Sequence, residues 1–247
     1  MTAVHIAISR KAFPSPGGTR ANPIITDLAI TIDRGEFVCL VGPSGCGKST
    51  LLHLVAGLDR DFEGRIEFGT GEITPRIGYV FQNPRLLPWR TVRQNIELAM
   101  PHDRKDEQLV EHLLEVMGLT AVRQQYPERL SLGMSRRVAL VRAFAIQPDL
   151  LLMDEPFVSL DAPTARRVRQ LLVRVWEERP HTVLFVTHDL REAIALADRL
   201  VFLGPSPTRV LAAIRVDIPR EQREDEALIE GFRAELMGGF SALDGLI

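Results

Sequence analysis

A glycine-rich segment at positions 42–50 reads Gly42-Pro43-Ser44-Gly45-Cys46-Gly47-Lys48-Ser49-Thr50. An apolar run, Phe37 to Val41, precedes it, and a run with helical spacing, Leu51 to Leu58, follows it. Strand, glycine loop and helix form the context in which a G-x-x-x-x-G-K-[ST] pattern holds phosphate. The glycines let backbone amides surround an anion, and the helix adds unpaired N–H groups and the positive end of its dipole. The alternative is a glycine turn that only caps a helix.

Two side chains of this segment fit a nucleotide triphosphate. Lys48 is long enough to contact β- and γ-phosphates, and the Ser49 hydroxyl suits a Mg²⁺ ion. We therefore predict a nucleotide site at 42–50.

Composition and charge exclude few classes of protein. The chain has 247 residues, of which 45% are hydrophobic and 25% charged, and its net charge is −2. These values are typical of a globular protein with a sizeable core and give no bulk electrostatic reason to expect nucleic acid. We interpret the arginine pairs at 136–137 and 166–167 as solvated helix faces. Cys39 and Cys46 lack metal-ligand spacing, and a reducing cytosol is the expected environment.

Nothing in the sequence predicts membrane insertion. No apolar run approaches the ~18 residues that a membrane helix needs. The first residues, Met1 to Lys11, lack the charged and apolar regions of a signal peptide. Any action at a membrane is therefore expected to need a partner.

The amino-terminal part predicts an antiparallel sheet beside the phosphate-binding core. Residues 3–8 and 24–32 alternate as strands do, and a turn rich in proline and glycine at 13–18 separates them. Short strands are predicted at 63–68 and 77–81, and we assign them to the same sheet.

The middle of the chain predicts a helical lobe at about 84–147, inserted into the α/β core. A loop and then a helix occupy 84–99. Apolar residues from Leu109 to Met117 recur at helical spacing, and Gly118 ends that helix. Another helix is expected from about Ser135 to Gln147, because Pro148 stops it.

The core resumes with buried strands at 150–153 and 183–186 and a helix at 165–176 between them. This order predicts a mostly parallel sheet flanked by helices. Asp189 and Glu192 have the spacing of a capping box that opens a helix to Ala197. The apolar face of the charged segment 221–237 is expected to pack on the body.

Polar residues follow the predicted strands at the sheet edge where ligands of α/β proteins collect. Asp154 is suited to hold Mg²⁺ through water, and Glu155 to orient or deprotonate an attacking water. Gln82 can contact the metal or the water, and His188 can hydrogen-bond a γ-phosphate. The alternatives are a helix-initiating turn at 154–156 and structural roles for Gln82 and His188.

Residues 130–134, Leu-Ser-Leu-Gly-Met, form a second small-residue turn before a helix. Such a turn is a potential anion site. Since one nucleotide has a single γ-phosphate, we expect this turn to close over a nucleotide bound by another subunit.

The complete pattern resembles an ATP-binding cassette (ABC) ATPase over about residues 3–216. Residues 42–50 resemble the Walker A motif, 130–134 the signature motif and 150–155 Walker B with its catalytic glutamate. Gln82 resembles the Q-loop glutamine, 159–161 the D-loop and His188 the switch histidine. The resemblance implies a P-loop NTPase cassette with an antiparallel β subdomain and an inserted α-helical subdomain. It places the ATPase domain at 1–216 and a helical tail at 217–247.

The resemblance also implies ATP hydrolysis with ATP and Mg²⁺, and a role for each matching residue. The implied catalytic residues are Glu155, His188 and Gln82. The implied metal-binding residues are Ser49, Gln82 and Asp154. The implied nucleotide-binding residues are Phe13, against the adenine ring, and Gly42, Pro43, Ser44, Gly45, Cys46, Gly47, Lys48, Ser49, Thr50, Ser131, Gly133 and Asp161.

Three details resemble the nitrate, sulfonate and taurine importer branch: Leu86-Leu87-Pro88-Trp89, Met134, and the Asp-Glu-Pro-Phe run at 154–157. That branch implies an integral membrane permease and, indirectly, a periplasmic substrate-binding protein. We also hypothesise that two copies pair head to tail as a homodimer, and from the net charge we expect no nucleic acid. The chain is then expected at the cytoplasmic face of the inner membrane. The segment 86–89 is a candidate permease contact, or it packs under the helical lobe.

One residue departs from the family pattern, because Leu132 stands where the signature motif has its first glycine. A leucine there costs nothing at negative φ, but roughly 1–2 kcal/mol if φ must be positive. Two alternatives to a transporter ATPase remain: an ABC ATPase that works on ribosomes or DNA, and a regulatory cassette that hydrolyses ATP poorly because of Leu132.

Overall fold

The structure, a computed structural model, describes residues 2–14, 21–69, 75–101 and 106–239. The chain forms two compact units. The first unit comprises Met1–Thr74 and Thr182–Ile247, and the second comprises Pro75–His181. Most of the turn predicted at 13–18 and the end of the tail lie outside the described residues.

An antiparallel sheet in the first unit contains β1 (Thr2–Pro14), β2 (Ala21–Asp33) and β4 (Glu63–Phe68). Its order is β2-β1-β4, and Ile6 of the central strand pairs with Ile30 on one side and Ile66 on the other. Alternate side chains of β1, such as Val4, Ile6 and Ile8, are buried. The strands predicted at 3–8, 24–32 and 63–68 are therefore confirmed.

The first unit also contains the strand that precedes the glycine-rich loop. That strand, β3 (Phe37–Val41), lies between β7 (Thr182–Thr187) and β8 (Arg199–Leu203) and is parallel to both. The strand β9 (Val210–Arg215) adds an antiparallel edge. All side chains of β3 and β7 are buried, as the apolar runs predict for a parallel sheet covered on both faces.

The part of the first unit that the structure describes contains the helices α1 (Lys48–Val55), α6 (Leu190–Leu196) and α7 (Glu226–Gly239). A short 3₁₀ turn, Arg220–Gln222, precedes α7. Ile229 and Leu236 of α7 are buried, and Arg191 Nε of α6 lies 2.9 Å from Glu230 Oε2. The predicted apolar face of α7 thus packs on the unit through Ile229 and Leu236, whereas Leu228 on the same face is 41% exposed.

The second unit pairs β5 (Ile77–Val80) with β6 (Leu150–Asp154) in parallel. The assignment of 77–81 to the amino-terminal antiparallel sheet was wrong. Alternation in a short segment reports a half-buried strand but does not identify its neighbour, and here the neighbour lies about seventy residues later in the chain.

The helices of the second unit are α2 (Val92–Glu97), α3 (Glu107–Val116), α4 (Leu132–Ala145) and α5 (Ala162–Glu178). Short 3₁₀ turns lie at Thr120–Val122 and Pro127–Arg129. Gly118 follows α3 with φ +64°, a backbone conformation that favours glycine. The helix predicted from about Ser135 begins three residues earlier, because the Ser131 hydroxyl caps it.

The described helices include none that is both long and apolar enough to cross a membrane.

Candidate functional site

Glycine is required at two positions of the loop after β3. A Cβ atom at Gly42 would lie 2.7 Å from the carbonyl oxygen of Leu203, which is closer than real contacts allow. Gly47 has φ +105°, and a Cβ atom there would lie 2.9 Å from Ile24 Cγ2. These two positions hold the loop tightly against the sheet and start α1.

Lys48 is buried, with 6% of its surface exposed, and its ammonium group lies against the loop. Its Nζ donates to the carbonyl oxygens of Gly42 at 2.7 Å and Pro43 at 2.9 Å. No side chain caps the amino terminus of α1. The first-turn amides of a helix have no partner within the helix, so they, the dipole and Lys48 make this loop chemically suited to phosphate.

The two cysteines are ordinary buried thiols. Burial raises the pKa of Cys39 well above its usual value and also raises that of Cys46, although the nearby Lys48 charge partly opposes the shift at Cys46. The Cys46 amide donates to Pro43 O at 3.3 Å, so this residue contributes to the turn of the loop through its backbone.

His188 follows β7 at the same sheet edge as the loop. The parallel register pairs Val41 with Thr187, so Gly42 and His188 are each the next residue after a strand end. The expected placement of His188 beside the phosphate loop therefore agrees with the register. Its side chain is exposed.

The predicted capping box after His188 is only half correct. Asp189 Oδ1 accepts from the amides of Arg191 and Glu192, as a helix cap does. The Glu192 carboxylate does not complete the box, because it accepts from the buried Thr187 hydroxyl at 2.8 Å, and the Asp189 amide donates to that same hydroxyl.

In the second unit, the ends of β5 and β6 bring Gln82 and Glu155 together. The register pairs Val80 with Met153, and Gln82 and Glu155 each lie two residues further on. Gln82 Nε2 donates to Glu155 Oε2 at 3.3 Å. The sequence predicted these two side chains at one sheet edge, and in this unit they are in contact.

Asp154 and Glu155 have different surroundings despite being adjacent. Asp154 is the last residue of β6 and is buried. Burial, followed by the Asp154 charge, raises the pKa of Tyr79. Glu155 has φ +44°, a left-handed conformation that is uncommon for residues other than glycine. Such strain collects at functional sites, where the surrounding structure holds it in place.

Within the described ranges, no three His, Cys, Asp or Glu side chains gather into a group that could hold a metal ion. Mg²⁺ in proteins is usually bound by one or two carboxylates together with substrate phosphates. The buried carboxylate of Asp154 fits a Mg²⁺ ion that arrives with a nucleotide rather than a protein-only metal site.

The segment 130–134 is a helix start rather than a separate loop. Ser131 caps α4, accepting from the Met134 amide at 3.2 Å, and Leu132 is the first helical residue. The backbone of Leu132 does not have a positive φ, and its side chain is 45% exposed. The penalty of roughly 1–2 kcal/mol for a leucine at positive φ therefore does not arise.

Asp161 and the start of α4 line one cleft of about 300 Å³ in the second unit. Ser131 and Gly133 lie on one wall, and Asp161 caps α5 by accepting from the Thr164 amide at 3.0 Å. That hydrogen bond lowers the pKa of Asp161. Gly133 must be small, because a Cβ atom there would lie 2.8 Å from Thr164 Cγ2.

Phe13 stands near the end of β1 with an exposed ring. The buried ammonium of Lys11 lies 4.7 Å from the ring centroid and forms an ion pair with Asp59 at 2.8 Å. Sequence reasoning missed Lys11. The signal was available, because alternation along β1 places residues 11 and 13 on the same face.

The interpretation of Arg136-Arg137 as a solvated face was wrong. Arg136 is 5% exposed, and Arg137 is half-buried with Nη1 donating to Met117 O at 2.6 Å. Arg166 and Arg167 are exposed as expected. Two adjacent arginines on a helix are usually exposed to solvent, but α4 is buried over most of its circumference.

The segment 86–89 forms the loop before α2. Buried Asn95 holds its backbone, accepting from the Leu87 amide at 2.7 Å and donating to Leu87 O and Arg90 O. Leu86 and Leu87 are half-buried, whereas Pro88 is exposed and Trp89 is 69% exposed.

Comparison with known proteins identifies the family. Residues 25–158 match the protein family described as ABC transporter. The chain belongs to the ABC transporter family.

Several curated relatives match nearly the full length of the cassette. The aliphatic sulfonates import ATP-binding protein SsuB of Bacillus licheniformis is 40% identical, over 98% of this chain and 96% of its own. SsuB 2 of Burkholderia lata is 43% identical, over 97% and 87%. The nitrate import ATP-binding protein NrtD of Synechococcus elongatus is 41% identical, over 92% and 85%.

A solved structure resembles the cassette as a whole. The ATP-binding cassette MJ0796, described as a dimer in a post-hydrolysis state bound to ADP and Pi, is 29% identical with a TM-score of 0.74. The match covers 87% of this chain and 100% of that one. The fold expected from the sequence, a P-loop ABC cassette, is confirmed.

Proposed function

We propose that this cassette is the ATP-binding and ATP-hydrolysing subunit of an importer that moves a small solute, such as a sulfonate or nitrate, through a membrane permease. The observation that carries the proposal is the loop after β3, in which tight glycine packing, an uncapped helix α1 and the buried ammonium of Lys48 converge. The names of the importer relatives give the class of solute.

The residues of the loop, 42–50, would hold the phosphates of ATP, and Phe13 would stack on the adenine. Ser49, Asp154 and Gln82 would hold Mg²⁺, which when bound neutralises charge that develops on the phosphates.

Glu155 would act as the general base that takes a proton from the attacking water, with Gln82 holding its carboxylate. Lys48 would offset the charge on the γ-phosphate, and the His188 side chain would hydrogen-bond it.

We further propose that two cassettes pair head to tail. Ser131, Gly133 and Asp161 line one cleft, and this cleft would face the nucleotide of the partner cassette. Arg137 and Arg167 also line it and favour an anionic ligand. The dimeric cassette MJ0796 supports such pairing.

Trp89 and Pro88 would anchor the cassette to the permease at the cytoplasmic face of the membrane, since an exposed apolar anchor suits a partner's groove. A periplasmic binding protein would then act on the other side of the permease.

The division of the chain into an ATPase domain at 1–216 and a helical tail at 217–247 remains a prediction.

The test is transport by the purified complex. The full chain is isolated with the permease that copurifies with it, the complex is placed in liposomes, and ATP-dependent uptake of taurine, an alkanesulfonate and nitrate is measured. We expect uptake of one of these solutes that stops in Lys48→Ala. Copurification with ribosomes or DNA but no permease, or ATP hydrolysis without uptake of any of the three, would contradict the proposal.

The binding step has its own measurement. Hydrogen bonds to charged groups contribute about 1.5–3 kcal/mol, so Lys48→Ala is expected to raise the Kd for ATP roughly 10- to 100-fold in calorimetry. An unchanged Kd would contradict the role of the loop.

A further inference from the structure

Arg136 is a buried cation that the proposed mechanism does not use. Its guanidinium donates through Nη1 to the carbonyl oxygen of Gln82 and through Nη2 to that of Val158 at 3.2 Å. Its Nε is buried with no hydrogen-bond partner, and Arg136 forms no ion pair with any described carboxylate. Burial lowers the pKa of Arg136.

This arrangement is energetically expensive. Burying an ionised group without a counter-ion is strongly unfavourable, and an apolar side chain of similar volume would avoid that cost. Packing alone therefore does not account for an arginine at this position. Its two acceptors, however, lie in the two segments that present the candidate catalytic side chains.

The first acceptor belongs to Gln82 itself. The Gln82 side chain contacts Glu155 Oε2 at 3.3 Å, while its carbonyl group is held by Arg136. Gln82 lies in an irregular segment after β5, where the sheet no longer fixes the backbone. The guanidinium is thus a rigid link between this backbone and helix α4.

The second acceptor belongs to the strained turn that begins at Glu155. Glu155 and Ser159 both have left-handed backbones, with φ of +44° and +64°. Within the turn, the Val158 amide donates to Glu155 O at 3.3 Å. A left-handed residue other than glycine tends to relax unless its surroundings hold it, and Arg136 binds the Val158 carbonyl from outside the turn.

We propose that Arg136 is a positioning residue for ATP hydrolysis: by binding the Gln82 and Val158 carbonyls together, it sets the geometry between Gln82 and the Glu155 carboxylate. The inference rests on the catalytic role proposed for Glu155. It assigns the effect of Arg136 to the chemical step, because neither of its two hydrogen-bond acceptors belongs to the loop at 42–50.

The chain offers a matched control on the same helix. Arg142 donates to Arg85 O at 3.0 Å and to Pro84 O at 2.8 Å, and burial lowers its pKa as well. Like Arg136, Arg142 therefore donates to two backbone carbonyl groups, but these belong to residues without a proposed catalytic side chain.

The experiment compares Arg136→Gln, Arg136→Lys, Arg142→Gln and Glu155→Gln in the full chain. For each variant, kcat and KM for MgATP, the Kd for ATP and the melting temperature are measured. Small misplacements of catalytic groups cost up to 100-fold, so we expect Arg136→Gln to lower kcat roughly 10- to 100-fold. KM and Kd should stay within about threefold. Arg136→Lys, which keeps the charge and a donor, should recover part of kcat, and Arg142→Gln should lower Tm without a comparable loss of kcat.

Three results would overturn the inference: a kcat for Arg136→Gln within about threefold of the parent, an equal loss in Arg142→Gln, or a loss that appears in KM or Kd. If Arg136→Gln does not fold, Arg136→Met, which keeps a similar side-chain volume without the donors, is judged by the same criteria. Glu155→Gln distinguishes failure of the catalytic assignment of Glu155 from failure of the role proposed for Arg136. If it hydrolyses ATP at the parent rate, the catalytic assignment fails; if it is inactive while Arg136→Gln behaves like Arg142→Gln, only the role of Arg136 fails.

Discussion

At the scale of single residues, the backbone conformation of Leu132 decides how to interpret the departure from the signature motif. The regulatory alternative relied on a strained leucine at positive φ. Leu132 instead occupies the first position of α4 with a helical backbone and an exposed side chain. The structural reason to expect weak hydrolysis is thereby removed.

We therefore expect Leu132→Gly to leave hydrolysis nearly unchanged. Glycine in a helix costs up to about 1 kcal/mol, so the free energy of unfolding should fall slightly while kcat stays within about threefold. Steady-state phosphate release and urea unfolding check both values. A tenfold gain in kcat would mean that the leucine side chain obstructs the site.

A second residue-scale prediction concerns His181. Burial, followed by the Arg179 charge, lowers the pKa of His181 from 6.5 to about 4. Arg76 also lowers this pKa, Asp149 raises it, and the ring lies 5.9 Å from that of Phe144. As pH falls from about 6.5 to 4, His181 binds a proton in the unfolded chain but not in the folded chain. The free energy of unfolding must therefore fall over this range.

The slope from this group can reach about 1.4 kcal/mol per pH unit. Urea unfolding between pH 7.5 and 4 should show that His181→Gln reduces the slope. Equal slopes in the parent and in His181→Gln would contradict the assignment.

At the scale of elements, the sequence predicted whether a segment is a helix or a strand better than it predicted which strands pair or where a helix begins. The buried strands around the loop were predictable because apolar runs bounded by turns have few other interpretations. The parallel partner of β5 was not, because it is set by contacts between distant segments. The start of α4 was misplaced because the stretch contains two serines suited to capping, Ser131 and Ser135, and tertiary packing selects the first.

The same limit applied to the candidate site. Motif spacing singled out Lys48, Gln82 and Glu155 as candidates, because their chemistry is tied to strand ends. It did not single out Arg136, since a pair of arginines on a helix is indistinguishable from a solvated face until the burial of that helix is known.

The loop before α2 carries an element-scale prediction. Asn95 fixes its backbone, so Trp89→Ala should remove an exposed side chain without unfolding the loop. We expect copurification with the permease to fall while ATPase activity of the isolated cassette is retained. Leu58→Ala, which removes another apolar side chain that is 62% exposed, is the control. Unchanged copurification in Trp89→Ala would show that the permease binds elsewhere.

At the scale of the whole molecule, pairing of two cassettes should depend on the intact triphosphate. If Glu155 activates water, Glu155→Gln should slow hydrolysis on the order of 10²- to 10⁴-fold and leave ATP bound. The γ-phosphate would then remain available to the cleft lined by Ser131 and Gly133. Light scattering should show the variant at twice its mass of 27.6 kDa with MgATP, but not with MgADP. A monomer under both conditions would contradict the head-to-tail arrangement.

The left-handed backbone of Glu155 has a consequence for how such proteins can be engineered. Asn and Gly adopt this conformation more readily than Glu, so either would relax the turn after β6. Directed evolution for heat resistance alone should thus enrich these two amino acids at position 155, and sequencing the survivors would reveal it. If Glu155 activates water as proposed, those survivors would be stable but would hydrolyse ATP poorly, because the substitution that relieves the backbone strain also removes the carboxylate.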